Sequence, residues 1–288
     1  MQIATMYTSI FEFVYILYLM NQHFEIHQTW KHVDTLTDDM KFSISEWKRL
    51  HPHFVHRFWD DEACDEFMRE RFPEFYSTYI DLPFGVQRAD MFRIAVLYDR
   101  GGIYADTDLV PNVVIDESPL WGKGDLIFAS WENLQTNAFI VSKKRKHPVL
   151  LKTLRSIVKR HRTCRTYGVY GVLGGIISNP TVMNTTGPNV IKETIGRDPN
   201  VYYIPSHEYM PCDNCIADTK QCPSNSGRYF THLKGRSWNS MSDGYAIRVK
   251  CFLKYNWQWL LIVLCWCVYI YLEQCKHKNY SKHTLRKS

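Results

Sequence analysis

The segment spanning residues 86–108 constrains the fold more than any other part of the chain. Its first part has apolar residues at helical spacing, which predicts a helix over Val86–Asp99. These apolar residues are Met91, Ile94, Ala95, Leu97 and Tyr98. Gly101-Gly102 then supplies the left-handed stop that a helix C-terminus commonly needs. The chain is therefore expected to leave the helix at the glycine pair and to begin a new element at once.

Two carboxylates follow the glycine pair. The apolar step Ile103–Ala105 is typical of a buried strand, so Asp106 and Asp108 are expected at the end of that strand. Carboxylates one residue apart, where the chain leaves extended geometry, can converge on one divalent cation. Mg²⁺ and Mn²⁺ prefer such oxygen ligands and bind substrate phosphates as well. The motif predicts a metal site, and an acidic surface turn is the alternative for an isolated D-x-D pair.

Two opposite charges on the predicted helix have two interpretations. Asp90 and Arg93 are three residues apart and share a helix face, so both side chains can point toward whatever the metal holds. An exposed ion pair, which contributes little to stability, has the same spacing. The spacing alone favours the exposed pair, whereas its combination with the glycine stop, the strand and the D-x-D pair favours the site.

These motifs together resemble the sugar-binding region of glycosyltransferase family 32. That family includes yeast initiating α-1,6-mannosyltransferases and inositol phosphoceramide mannosyltransferases. The central pattern is Arg88-x-Asp90-x-x-Arg93, followed by Leu97-Tyr98-x-x-Gly101-Gly102-Ile103-Tyr104-x-Asp106-x-Asp108. The stretch Glu25–Lys31 resembles the family's first strand, without its usual proline. Weaker similarities, which extend the resemblance over roughly residues 24–240, are Trp59-Asp60, Asn137, His147-Pro148, Thr186-Gly187-Pro188 and His232 through Ser237-Trp238.

The resemblance implies a role for each site residue. Asp106 and Asp108 would hold Mn²⁺ or Mg²⁺ against the diphosphate of a nucleotide sugar, with His232 as a further ligand unless that histidine is structural. Trp30 would stack on the nucleotide base, with core packing as its alternative. The residues implied in catalysis are Asp90, Arg93, Asp106 and Asp108. The residues implied in donor binding are Trp30, Arg88, Asp90, Arg93, Tyr104, Ser237 and Trp238.

The implied reaction is retaining transfer of a hexose, with mannose from GDP-mannose favoured, to a membrane lipid or glycan acceptor. No residue is a convincing nucleophile, so same-face displacement within a tight ion pair is expected. A hydrophobic segment after the catalytic region resembles the inositol phosphoceramide enzymes and favours a sphingolipid acceptor. The alternatives are a UDP-sugar transferase, a nucleotide-sugar hydrolase and a membrane-tethered, non-catalytic glycan-binding module. The intact set of charged residues argues against the last.

Strands alternate with helices along the chain, which predicts an α/β fold with a mostly parallel sheet and helices on both faces. With the resemblance, this indicates a single Rossmann-like, GT-A-type domain over residues 21–250. Ligands of such folds lie at the carboxyl ends of the strands, where Trp30 and Asp106 are expected. The predicted strands cover residues 23–30, 53–59, 103–105, 126–130 and 138–142, and the other predicted helices cover 38–50, 62–72 and 147–159. Asp60-Asp61 is expected to cap the second of these helices, and Pro73 is expected to end it. The residues of the first helix that can face the core are Phe42, Ile44, Trp47 and Leu50.

The C-terminal region predicts a membrane protein. Tyr255–Leu272 has eighteen residues without formal charge and aromatic residues at both ends, which indicates a transmembrane helix rather than a buried core helix. Of the net charge of +6, +5 lies in residues 254–288, so the domain lacks the basic face of a nucleic-acid-binding protein. The basic tail, residues 273–288, predicts a cytosolic C-terminus and a luminal domain in the Golgi or ER membrane. Residues 1–20 are interpreted as a signal or anchor, or as an amphipathic helix because Glu12 interrupts them.

Cysteines and an acceptor sequon fit a luminal domain. Disulfides are expected in the polar loop after residue 211, where they are favoured over a zinc site that would include His207. The cysteines available for pairing are Cys64, Cys164, Cys212, Cys215 and Cys222, and their pairing stays open. Asn184-Thr185-Thr186 is a sequon for N-glycosylation.

Overall fold

The computed structural model describes residues 24–131, 134–166, 178–195, 198–212, 215, 222, 225–233, 248–249, 251–258 and 261–270. The chain divides into two compact units, Met1–Ser240 and Met241–Ser288. Residues 1–20, Ser237, Trp238 and the tail 273–288 lie outside the described residues.

Strands and helices alternate through the first unit, as the sequence predicts. The strands are β1 Glu25–Thr29, β2 Val55–Trp59, β3 Gly102–Ala105, β4 Leu109–Pro111, β5 Leu126–Trp131, β6 Leu134–Ser142, β7 Val201–Ile204, β8 Asn225–Ser226 and β9 Phe230–His232. The helices are α1 Asp38–Leu50, α2 Asp61–Arg71, α3 Pro73–Asp81, α4 Gly85–Arg100, α5 Pro148–Thr166, α6 Ser178–Thr185, α7 Pro188–Ile195 and α8 Ser206–Tyr209. Two short 3₁₀ helices cover Val33–Thr35 and Trp121–Lys123.

Six strands form the central sheet in the order β2-β1-β3-β6-β5-β7. Strand β6 is antiparallel to both of its neighbours, and the other neighbouring strands are parallel. Alternate residues of the strands enter two separate hydrophobic clusters: Tyr104 and Phe128 belong to one, and Ile103 and Ile127 to the other. Helices contribute to both clusters, so the sheet is covered on both faces. The predicted mostly parallel α/β fold is confirmed.

Three neighbouring parallel strands end at the same edge of the sheet. Thr29 of β1 is paired with Trp59 of β2, and His27 of β1 with Tyr104 of β3. The residues that follow these strands, among them Trp30 and Asp106, therefore emerge on one side of the molecule. The sequence predicts this placement, and the strand register confirms it.

The glycine pair ends α4 as predicted. Gly101 and Gly102 have φ angles of 72° and 92°, in the region that favours glycine. A Cβ atom on Gly102 would also clash with the backbone carbonyl oxygen of Glu25 in β1. Glycine is needed here both for the turn and for the close approach of β3 to β1.

Helix α1 has the predicted bounds, but the face that it buries differs from the prediction. Phe42, predicted to face the core, is 53% exposed, whereas Trp47 is fully buried. The indole of Trp47 and the hydroxyl of Ser43 both donate hydrogen bonds to the carbonyl oxygen of Leu109, at 2.7 and 2.8 Å. These bonds fix the rotation of the helix and leave Phe42 outside. Pro73, expected only as a break, begins helix α3, because proline is well suited to a first helical position.

The second unit contains two described helices, α9 Cys251–Gln258 and α10 Leu261–Ile270, which are bent by 59° relative to each other. Among the residues described, no single helix is long and apolar enough to cross a membrane. By length and composition, only this bent pair, taken together, could do so. Apolar side chains such as Leu264 (61%) and Trp266 (67%) are exposed. Among the described residues, the predicted transmembrane segment Tyr255–Leu272 is divided between these two helices, and its crossing of a membrane stays a prediction.

A buried histidine beneath the glycine pair predicts acid sensitivity. His27 Nε2 lies 3.1 Å from the Gly101 carbonyl oxygen, and Trp59 Nε1 donates to His27 Nδ1 at 3.2 Å, which requires the neutral ring. Burial lowers the pKa of His27 to about 4, below the value of roughly 6.5 in an unfolded chain. The unfolded state therefore binds the proton more readily between these values, and the contribution of His27 to the free energy of unfolding is expected to fall by on the order of 3 kcal/mol as the pH drops from about 6.5 to 4.

Thermal unfolding across this pH range measures the effect, with His27→Gln as the variant in which the slope should shrink. His56, whose pKa burial also lowers to about 4, acts in the same direction. Asp106 and Asp108, whose pKa burial raises to about 6, act in the opposite direction, so the test is the difference between the two chains. Equal pH dependence of the melting temperature in the wild-type chain and in His27→Gln would contradict the expectation.

Candidate active site

The D-x-D carboxylates lie in the turn between β3 and β4. The Asp106 backbone N–H donates to the carbonyl oxygen of Ala138 in β6 (2.8 Å), and the N–H of Leu109 donates to the Asp106 carbonyl oxygen (3.0 Å). The Gln28 side-chain amide also approaches the Asp106 carbonyl oxygen, at 3.4 Å. The turn that presents both carboxylates is therefore tied to β1 and β6.

Asp90 and Arg93 form a buried network and not the exposed ion pair. Only 3% of Asp90 and 5% of Arg93 is exposed. Asp90 accepts hydrogen bonds from Asn137 Nδ2 at 2.7 Å and from the Thr186 hydroxyl at 2.8 Å, one on each oxygen. Arg93 Nη2 lies 3.4 Å from Asp90 Oδ1. The structure thus excludes the exposed ion pair, and the role of Asp90 and Arg93 in donor binding stays a prediction.

Arg93 connects Asp90 to the D-x-D motif. Its Nη1 donates to the Asn137 carbonyl oxygen (2.7 Å) and lies 3.3 Å from Asp106 Oδ1. The guanidinium carbon lies 4.6 Å from the centre of the Tyr104 ring, and the Tyr104 hydroxyl donates to the same Asp106 oxygen at 2.9 Å. Four predicted site residues are therefore connected in one network through Arg93: Asp90, Arg93, Tyr104 and Asp106.

Burial sets the electrostatics of the site. It raises the pKa of Asp106 to about 6, with Arg93 acting in the opposite direction and Asp108 adding to the rise. Burial also raises the pKa of Asp108 to about 6 and raises that of Asp90. For Arg93, burial favours the neutral form, but the neighbouring carboxylates outweigh it and raise the pKa. Arg93 therefore stays positively charged. A further positive charge near Asp106 and Asp108 would stabilise their ionised forms.

His232 reaches the D-x-D motif from the far end of the first unit. Strand β9 pairs with β4 so that His232 is opposite Leu109. His232 Nε2 lies 3.6 Å from Asp108 Oδ2, and the Leu233 N–H donates to the Asp108 carbonyl oxygen at 2.8 Å. The Trp131 ring lies beside the His232 ring, with 6.4 Å between centroids. The structure brings His232 to the position that the resemblance implies, and its role as a ligand stays a prediction.

The residues present fit a divalent cation that keeps other ligands from solvent or substrate. Asp108 Oδ1 is buried and has no hydrogen-bond partner in the part of the chain that the structure describes. A cation would satisfy that oxygen and lower the free-energy cost of two partly buried carboxylates. Among the described residues, however, no group of three or more His, Cys, Asp or Glu side chains is placed to hold a metal ion. Mg²⁺ and Mn²⁺ suit such an arrangement, because one or two carboxylates plus water and substrate phosphates are enough.

The other predicted donor-binding residues lie around this network. Trp30 is half-buried after β1, and its indole donates to the Thr35 carbonyl oxygen at 3.2 Å. Arg88 is not joined to the network by any described contact. It donates to the Leu82 carbonyl oxygen (2.9 Å), and its charge acts on Asp61. Stacking by Trp30 and donor binding by Arg88 remain predictions.

Sequence reasoning assigned no role to two residues of the network. Asn137 and Thr186 were noticed only as short similarities, and they are 47 and 96 residues from Asp90 along the chain. Each is a small polar residue that is buried. Buried polar groups indicate a hydrogen-bonded network, but their burial is known only from the structure. Their contact with Asp90 could not be derived from spacing.

The cysteine loop is closed by a disulfide between Cys212 and Cys222. Cys215 is also disulfide-bonded, and Cys64 keeps a buried thiol. The disulfide excludes the alternative zinc site at Cys212 and Cys222. The Cys212 carbonyl oxygen accepts a hydrogen bond from Trp131 Nε1 at 2.7 Å, so the loop is attached to the residue that packs beside His232.

Comparison with known proteins shows similarity to glycosyltransferases. Residues 37–123 match the family described as glycosyltransferase sugar-binding region containing DXD motif. The chain is 31% identical over 135 residues to inositol phosphoceramide mannosyltransferase 3 of Schizosaccharomyces pombe, covering 46% of this chain and 36% of the relative. It is 25% identical over 220 residues to inositol phosphoceramide mannosyltransferase 1 of the same yeast, covering 74% and 61%.

A third relative is the initiation-specific alpha-1,6-mannosyltransferase of Candida albicans, 24% identical over 252 residues, with 77% of this chain and 61% of the relative covered. The chain thus spans between 36% and 61% of the length of these three relatives. The predicted resemblance is confirmed: residues 37–123, which include the D-x-D motif, match the glycosyltransferase sugar-binding region.

Proposed function

We propose that this protein is a metal-dependent, retaining glycosyltransferase that moves mannose from GDP-mannose to a membrane lipid or glycan, with inositol phosphoceramide as the favoured acceptor. The observation that carries the proposal is the buried Arg93 between Asp90 and Asp106, at the edge where the parallel strands end. A sheet of this kind binds ligands at that edge. The names of the relatives support mannose as the sugar and, for two of them, inositol phosphoceramide as the acceptor.

The network is suited to hold the donor sugar in one orientation. Asp90 Oδ1 accepts from Asn137 and faces Arg93, whereas Oδ2 accepts one hydrogen bond, from Thr186, and has a second lone pair for a sugar hydroxyl. Because Asp90 and Arg93 are already fixed in the folded protein, little reorganisation is needed when charge develops on the sugar. Asp106 and Asp108 would hold Mn²⁺ or Mg²⁺, which when bound supplies Lewis-acid stabilisation of the departing diphosphate. The negative charge of Asp90 would favour the cationic sugar during same-face displacement.

The test is a donor screen on the full-length chain, with released nucleotide as the readout. GDP release is expected with GDP-mannose only when Mn²⁺ and an inositol phosphoceramide or glycan acceptor are present. EDTA should stop the reaction and added Mn²⁺ should restore it, because the two carboxylates act through the cation. Full activity in EDTA would contradict the metal-dependent mechanism.

The other outcomes of the screen separate the alternatives. Nucleotide release without acceptor would identify a hydrolase, and release from a UDP-sugar alone would exclude GDP-mannose as the donor. Glycan binding without any release would identify a non-catalytic module.

We also propose that the chain is anchored in a membrane of the secretory pathway, Golgi or ER, with residues 21–250 as a luminal catalytic domain. The exposed apolar side chains of α9 and α10 and the basic tail 273–288 support an anchor over residues 255–272. Residues 1–20 would provide a signal or a second anchor.

The proposed topology predicts glycosylation at Asn184, which is exposed near the end of α6. In a secretory expression system, endoglycosidase treatment should reduce the mass of the chain, because sugar transfer to the sequon occurs only in the lumen. Asn184→Gln should abolish this shift. Asn279→Gln, at the sequon in the proposed cytosolic tail, is the matched control and should not change it.

Protease protection gives an independent measurement of the same topology. A tag after Ser288 should be digested in intact microsomes while the catalytic domain stays protected. Digestion of the domain with survival of the tag would show the inverted orientation.

A further inference from the structure

Tyr209 is a fully buried residue at the end of α8. Its ring packs edge-on against Phe230, with 5.7 Å between ring centroids. Phe230 lies in β9, two residues before His232, and β9 pairs with β4 directly after Asp108. The ring of Tyr209 is therefore held against the strands that position Asp108 and His232.

The carboxylates of the D-x-D motif affect the pKa of the Tyr209 hydroxyl. Burial and then the negative charges of Asp106 and Asp108 raise the pKa of Tyr209 well above its usual value. The phenol therefore stays protonated and can donate a hydrogen bond at any physiological pH.

The hydroxyl nevertheless has no hydrogen-bond partner in the described part of the chain. The Thr136 hydroxyl is near enough to influence its pKa but does not form a hydrogen bond of acceptable geometry. Asp108 Oδ1 is also buried and unsatisfied within the described residues. Buried polar atoms without partners are rare and costly, so two at one motif need an explanation.

The Tyr209 hydroxyl is an unpaired donor and Asp108 Oδ1 is an unpaired acceptor within the described residues. Together they indicate a ligand that has both a positive and a negative part. A cation would satisfy Asp108, and an anionic oxygen would accept the Tyr209 proton. A diphosphate held by a divalent cation has both parts. Hydrogen bonds to charged oxygens are roughly twice as strong as those between neutral groups. Such a bond would offset the free-energy cost of burying the unpaired hydroxyl.

We propose that Tyr209 is a donor-binding residue whose hydroxyl donates a hydrogen bond to a diphosphate oxygen of the nucleotide sugar. The inference rests on the proposed function, which supplies the diphosphate. The ring of Tyr209 contributes the packing and the hydroxyl contributes none, so the two roles can be separated by experiment.

Tyr209→Phe removes only the hydroxyl. In the full-length chain, calorimetric titration with GDP or UDP at saturating Mn²⁺ should show about ten- to a hundredfold weaker binding than in the wild type. Titration with Mn²⁺ alone should be unchanged, because the phenol is not a ligand of the cation. The melting temperature should equal or exceed that of the wild type, because the variant no longer buries an unsatisfied group. Tyr229→Phe, in the same hydrophobic cluster, is the control and should bind all probes as the wild type does.

Wild-type affinity of Tyr209→Phe for both nucleoside diphosphates would overturn the inference. A lower melting temperature with equal losses of Mn²⁺ and diphosphate binding would also overturn it, because the hydroxyl would then be structural. The proposed function fails in a different way: the wild-type chain would bind neither GDP nor UDP with Mn²⁺, and that result would overturn both.

Discussion

Replacing Asp108 by Asn is expected to abolish sugar transfer while the domain stays folded. Asp108 Oδ1 has no hydrogen-bond donor among the described residues, so the charge contributes little to packing and is available to a cation. We expect the transfer rate to fall at least about 100-fold, as when one preorganised electrostatic group is removed from an active site. Asp106→Asn should have a similar effect on transfer.

The stability of the Asp108 variant provides the control. Burial raises the pKa of Asp108 to about 6, above its value of roughly 3.9 in an unfolded chain. The charged carboxylate therefore lowers the stability of the metal-free protein at neutral pH, and Asn removes that cost. The melting temperature in EDTA at pH 7 should be unchanged or higher. Asp34→Asn, at a side chain that is 83% exposed, should change neither property. Wild-type turnover in both the Asp106 and the Asp108 variants would exclude the metal-site interpretation.

Arg93→Met is expected to destabilise the first unit strongly and to remove activity. The guanidinium is the positive charge that compensates the buried Asp90, at 3.4 Å, and the partly buried Asp106, at 3.3 Å. Removing one partner of such a pair leaves uncompensated buried charge, which typically costs about 3–5 kcal/mol. Urea unfolding measures the loss. Arg71→Met is the matched control, because Arg71 is 55% exposed and its pair with Asp99 should contribute less than about 1 kcal/mol.

A second substitution tests the cause of this loss. Adding Asp90→Asn to Arg93→Met removes one of the uncompensated charges and should recover part of the stability, which a double-mutant cycle would show as coupling. Equal stability of Arg93→Met and the wild-type chain would mean that the network is not held by charge.

Local features of this chain could be predicted because they depend on neighbouring residues. Helix α1 begins and ends where predicted, and the Thr37 hydroxyl accepts a hydrogen bond from the Met40 N–H at its start. Asp60 likewise caps α2 as expected, by accepting from the Ala63 N–H. The short strand and its D-x-D pair also follow from adjacent residues. In each case the interacting groups are only a few positions apart.

Side-chain orientation was less predictable, because it depends on a partner element. The spacing of α1 allows several faces to point inward, and the hydrogen bonds from Ser43 and Trp47 to Leu109 select one that leaves Phe42 exposed. The pairing of Cys212 with Cys222 is similar, since several cysteines satisfied the sequence requirement equally.

The sequence by itself determined the order of helices and strands, the position of the carboxylates at a strand end and the resemblance to the glycosyltransferase family. These depend on short-range hydrogen bonding, hydrophobic period and motif spacing. Only the tertiary structure decided that Asp90 and Arg93 are buried, that Asn137 and Thr186 hold Asp90, and that His232 reaches Asp108. Those contacts join residues far apart in the chain. Their free energy depends on which groups lose water together, and that is known only once the strands have paired and the helices have packed.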